Sequence, residues 1–139
     1  MLQNAPLTNM KSNSISFGTI PCVVDAFGAT LTKALPIVVP VGDISFGYTH
    51  VHTKHRQKIA HYHSGMDVLD YVSLVAAHYH EIYVQAEGNI RLLKYNGVKN
   101  AIIAQHAYID MECYKLITAF PLDRLPNFGK RKERLIWSR

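Results

Sequence analysis

The spacing of apolar residues changes period once along this chain, near residue 82, and that change limits the folds open to it. Before it, Val68, Tyr71, Val72, Val75, Ala76, Tyr79 and Ile82 share one face at about 100° per residue, opposite Ser73, Ala77 and Glu81. Residues 68–82 therefore predict an amphipathic helix, entered through a Ser64-Gly-Met-Asp67 capping box. After it the texture is that of strands. Residues 82–86 and 90–95 flank the hairpin signal Glu87-Gly88-Asn89, and residues 98–109 and 114–120 flank a turn near Asp110-Met111-Glu112.

Upstream, Pro21 suits the first turn of a short helix over residues 21–27. Ile37-Val38-Val39 is a brief β-branched run ended by Pro40 and the Gly42-Asp43 turn signal. Residues 49–60 predict another short helix, with Thr49 as N-cap and Val51 and Ile59 two turns apart. The expected fold is α+β: short N-terminal helices and one long helix packed on an antiparallel meander of about four strands. No repeat or linker divides the 139 residues. They predict a flexible polar segment over 1–16, then one domain over 17–139 that ends in a basic tail, 121–139.

Several classes are excluded early. No apolar run approaches the ~18–20 residues of a membrane helix, and residues 1–16 lack the apolar stretch of a signal peptide. Cys22 and Cys113 are too few for a disulfide framework or a four-thiolate zinc site. The net charge of +5 sits in two islands. Lys54, Arg56 and Lys58 stand with no acid in residues 48–63. Arg124, Lys130, Arg131, Lys132, Arg134 and Arg139 outnumber Asp123 and Glu133 in residues 121–139. A polyanion is the natural partner of such a surface, and Lys58, Lys130, Arg131, Lys132 and Arg134 are the candidate phosphate contacts.

Five histidines, His50, His52, His55, His61 and His63, fall in the first island. Three readings compete for them. A metal can use His50-x-His52 or His61-x-His63, but no acid or cysteine lies between residues 44 and 66 to join them. Structural roles in a core or on a surface suit His61, His63, His78, His80 and His106. The third reading is metal-free acid–base cleavage of RNA. Histidine can take the 2′-hydroxyl proton or supply one to the leaving 5′-oxygen, while lysine and arginine steady the phosphate. On a helix over 49–60, His50 and His55 lie about 140° apart. They converge only if His50 stands at the helix start.

Tyr48-Thr-His-Val-His-Thr-Lys-His55, followed by helix, strands and Tyr114-Lys-Leu-Ile-Thr-Ala-Phe-Pro121, resembles the barnase/EndoU/colicin/RelE superfamily of ribonuclease toxins. The likeness is to its phage-type and contact-dependent growth inhibition branches. His50, Val51, Lys54 and His55 match an early His-hydrophobic-x-x-Lys/Arg-His pattern. Tyr114, Ile117, Thr118, Ala119 and Pro121 match a terminal strand pattern. The resemblance implies an endoribonuclease without cofactor or metal, with tRNA as substrate and a 2′,3′-cyclic phosphate and 5′-hydroxyl as products. His50 and His55 would be the catalytic histidines, Thr118 the hydroxyl on the scissile phosphate, Lys54 or Arg56 the electrostatic partner, and Tyr114 a further site residue. It also implies action in a bacterial cytoplasm, delivery as part of a larger secreted effector, and an acidic immunity protein over residues 50–56. The alternative is a non-catalytic nucleic-acid-binding module, with a metal-dependent hydrolase behind it.

Overall fold

In the structure, a computed structural model describing residues 17–24, 28–95 and 97–139, sheet dominates. Strands β1 (Thr19–Val24) and β2 (Thr30–Val38) lead to helices α1 (Gly47–Tyr62) and α2 (Val68–His78). Strands β3 (Glu81–Val84), β4 (Ile90–Lys94), β5 (Lys99–Ile109) and β6 (Met111–Leu122) follow, then the single turn α3 (Phe128–Arg131) and β7 (Arg134–Ser138). The seven strands form one sheet in the order β1-β2-β6-β5-β4-β3-β7. It is mixed, because β2 runs parallel to β6 while every other neighbouring pair is antiparallel. Its edges curl toward each other until Arg134 Nη2, on β7, donates to the Gly28 carbonyl beside β2 at 3.0 Å, which leaves a nearly closed, barrel-like sheet.

This overturns the expected four-strand meander beneath one long helix. Residues 82–120 do hold four antiparallel strands, but β1 and β2 flank them on one side and β7 on the other. Residues 21–24 belong to β1, not to a helix, because β2 supplies a backbone partner that local propensity does not register. Residues 25–27 and 1–16, to which the rest of that helix and the flexible segment were assigned, lie outside the described residues. The 121–139 segment is built into the fold through the end of β6, α3 and β7.

The helices also differ from expectation. The longest is α1, in the histidine segment. The apolar spacing of α2 continues to Ile82, but the helix stops at His78 because β3 pairs on both edges, with β4 and β7. Asp67, not Ser64, caps α2 by accepting the Asp70 N–H at 2.9 Å. Val68, Tyr71, Val72, Val75 and Ala76 turn into a core shared with Ile20, Ile37, Leu92, Ile102 and Leu116.

Helix α1 begins at Gly47 without a side-chain cap. Its first N–H groups go instead to backbone, Tyr48 to the Pro40 carbonyl and Thr49 to the Val41 carbonyl, both at 2.9 Å. Gly47 is required there: its φ is +78°, and a Cβ would come within 2.7 Å of the Pro40 oxygen. This close return of the chain fixes where α1 starts.

Candidate active site

Strand β2 pairs with β6 only through Ile37–Tyr114 and Val38–Lys115, which leaves the rest of that edge of β6 without a strand neighbour among the described residues. Helix α1 lies along it. His50 reaches Thr118, His55 packs on Phe120, and Lys58 and Tyr62 both reach Asp123. Twelve helical residues rise about 18 Å and five strand residues about 17 Å, so helix and strand stay in step over this length.

The side of the sheet that Thr118 occupies is set by a bulge. The β5–β6 register shifts between the pairs Ala104–Leu116 and Ile103–Thr118, which leaves Ile117 as the extra residue. Tyr114 and Leu116 precede it and lie in the core. Unbroken alternation would bury Thr118 and Phe120 beside them. With the bulge, Ala119 takes the core face, and Thr118 and Phe120 turn to the other.

There Thr118 pairs with Ile103, Ile103 with Arg91 and Arg91 with Tyr83, one row across four strands. Arg91 is buried and donates through Nε and Nη2 to the Glu133 carboxylate at 2.8 and 2.9 Å. Phe128 stacks flat on Tyr83 with ring centroids 3.9 Å apart. These two contacts hold the segment between β6 and β7 over this face.

His50 stands in the first turn of α1, and this brings it to His55. Their rings meet edge to face with centroids 5.5 Å apart. His50 Nδ1 lies 2.8 Å from the Ile44 carbonyl, which can only accept, so Nδ1 carries a proton. When the ring is neutral, Nε2 is free to accept, and Thr118 Oγ1 stands 2.9 Å from it. A neutral imidazole held this way presents a base at Nε2. His55 is different. Burial first, then the positive charge of His50, Lys54 and Lys58, lowers its pKa from 6.5 to about 4.

The other candidates are spread out. Lys54 is exposed one residue before His55, and Lys58 pairs with Asp123 at 3.5 Å. Arg56 points into a cleft of about 540 Å³ between α1 and α2, beside His52 and Tyr48, whose rings stack with centroids 5.5 Å apart. Tyr114 is 2% exposed, and burial above all pushes its hydroxyl pKa up to about 12, which suits a core aromatic. Lys130 and Arg131 line a groove on the Thr118 face together with Arg124, whereas Lys132 and Arg134 line a different pocket near Gly28. His63 donates to Asn100 at 2.8 Å and His106 meets Glu112 at 2.7 Å, both as structural partners. Among the described residues, no three His, Cys, Asp or Glu side chains gather as a metal ion would need. Nor is any helix among them long and apolar enough to cross a membrane.

Phe120, Arg91 and Glu133 were not among the sequence candidates. Two signals were present: Arg91 is the one charge inside the apolar run 90–93, and Glu133 is the one acid in the basic run 130–134. An isolated charge in such a setting calls for a buried partner.

No protein-family model, curated protein or solved structure matches the chain.

Proposed function

We propose that this chain is a metal-independent endoribonuclease that cleaves RNA by attack of the substrate's own 2′-hydroxyl. The observation that supports this most is the orientation of His50, with Nδ1–H tied to the Ile44 carbonyl and basic Nε2 beside the Thr118 hydroxyl. In the proposed reaction His50 Nε2 takes the 2′-hydroxyl proton and O2′ bonds to phosphorus. The bond from phosphorus to O5′ breaks, and the departing oxygen takes a proton from His55. The products are a 2′,3′-cyclic phosphate and a 5′-hydroxyl. Thr118 rotates its O–H toward a phosphate oxygen when substrate displaces it from Nε2, and Lys54 adds positive charge nearby.

His55 sets the pH behaviour. With a free-protein pKa of about 4, it is neutral at pH 7 until the anionic phosphate beside it favours its protonated form. The same observation favours the second reading, a non-catalytic RNA-binding module, because a neutral His55 gives no proton. Total RNA incubated with the chain in EDTA separates the two. Cyclic-phosphate ends support the enzyme, and retention of intact RNA supports the binder. Products with 3′-hydroxyl and 5′-phosphate ends would sink 2′-hydroxyl attack.

The resemblance to the toxin superfamily adds tRNA as the substrate, the bacterial cytoplasm as the place of action and an acidic inhibitor over residues 50–56 as the partner. These extensions stand on that resemblance.

A further inference from the structure

Phe120 has two neighbourhoods. On one side its ring lies 5.0 Å from that of His55, and on another it lines a groove of about 1010 Å³ with Leu122, Arg124, Lys130 and Arg131. Arg91 also lines this groove, but its charge is matched by Glu133. The exposed positive charge is on the rim. Arg124, Lys130 and Arg131 are exposed and make no close ion pair among the described residues, with Asp123 acting on Arg124 and Glu133 on Arg131 only at longer range. An aromatic ring beside three exposed cations is the arrangement that binds single strands, with a base on the ring and phosphates on the rim. A duplex keeps its base faces stacked on one another and offers none to Phe120. Phe120 is two residues from Thr118, about 7 Å along the strand, so a base on it adjoins the reacting phosphate.

We propose that this groove is a subsite for the single-stranded RNA flanking the scissile phosphate, with one base stacked on Phe120 and the adjoining phosphates held by Arg124, Lys130 and Arg131. The proposal rests on the ribonuclease reading for its substrate, and it divides the basic segment. Lys130 and Arg131 bind strand, while Lys132 and Arg134, around the turn of α3 at the pocket by Gly28, do not. The buried Arg91–Glu133 pair positions this wall by tying residue 133 to β4.

The test uses a short, end-labelled single strand of DNA, which has no 2′-hydroxyl and so reports binding apart from the proposed cleavage. With the full chain in fluorescence anisotropy, Phe120→Leu should weaken binding roughly 5- to 150-fold and Phe120→Tyr should restore most of it. Lys130→Gln with Arg131→Gln should lower the slope of log affinity against log salt by ~0.7 for each phosphate no longer neutralised. Lys132→Gln should leave affinity and slope near wild type, and the same strand annealed to its complement should be indifferent to Phe120.

If Phe120→Leu does not fold, as judged by thermal melting, the two glutamine variants decide. Equal losses from Lys132 and from Lys130 with Arg131 would overturn the groove in favour of diffuse charge. So would equal competition by duplex, or a groove that takes polyglutamate and no DNA. RNA cleavage with DNA binding indifferent to Phe120 would sink the subsite and spare the reaction. Phe120-dependent DNA binding by a chain that cleaves no RNA would do the reverse.

Discussion

The two halves of β6 have similar residues and opposite uses. Before Ile117, Tyr114 and Leu116 are buried among Ile37, Ile102 and Val75 in the core. After it, Thr118 and Phe120 leave the core face to meet His50 and His55. Tyr114 and Thr118 stand four residues apart, an even spacing that would place both on one face of a regular strand. One unpaired residue puts them on opposite faces. Residue type thus says little about role here, and register says a great deal.

The comparison breaks most completely if the bulge is removed. Inserting one alanine between Ile103 and Ala104 gives Ile117 a partner on β5 and restores plain alternation past Leu116, which sends Thr118 and Phe120 toward the core and Ala119 away from it. We expect RNA cleavage to vanish and the melting temperature to fall, both measured on the same preparation. An insertion variant that still cleaves would show that the bulge does not set the site.

Single substitutions on the two sides should separate activity from stability. His50→Ala should lower the cleavage rate ~10²–10⁴-fold with little effect on urea unfolding. Tyr114→Ala should cost about 3–5 kcal/mol of unfolding free energy, much of what a domain this size has, because it empties a large core site. Tyr114→Phe should keep the rate. A rate loss in Tyr114→Phe as deep as that of His50→Ala would return Tyr114 to the site.

His55 sharpens the comparison through pH. The unfolded chain binds a proton at this ring below about pH 6.5, while the folded chain refuses it until about pH 4. Protons therefore favour the unfolded state, and stability should fall as pH drops from about 6.5 to about 4. The loss is about 2 kcal/mol after allowance for the ring's partial exposure, and His55→Gln should flatten it. The same value moves the free-enzyme kcat/KM optimum to the acid side of neutrality, because the proposed acid is scarce at pH 7. This replaces the bell between roughly pH 5 and 8 that two ordinary histidines would give. An optimum at or above pH 7 that survives in His55→Ala would remove His55 from the acid role.

Thr118→Val is the mildest change, since it keeps the strand's shape and deletes one hydrogen bond. Its cost should be about tenfold in rate, near the value of one hydrogen bond to a charged group. A loss as large as that of His50→Ala would give the hydroxyl a part in proton transfer.

The elements most legible in the sequence are those whose contacts are local. The β3–β4 hairpin follows from Gly88, which turns with φ of +98°, and from Gln85 and Asn89, which close it. The buried face of α2 follows from its spacing, since residues three and four apart meet on any helix. What was missed is non-local. Residues 134–138 read as a charged tail until the free edge of β3 makes them a strand, and residues 21–24 read as a helix until β2 pairs with them.

Within the site, the sequence by itself determined the chemistry available: histidines and cations crowded into residues 48–63, and a hydroxyl within an apolar run. Its helical spacing left His50 and His55 about 140° apart, with no stated partner. Only the tertiary structure decided that Gly47 starts α1 just before His50, that Ile44 lends a carbonyl to Nδ1, and that Thr118 faces α1. The reason is physical. Residue types set which protons and charges a segment can offer, but which of them meet depends on a strand register and a chain reversal, and contacts far apart in sequence fix both.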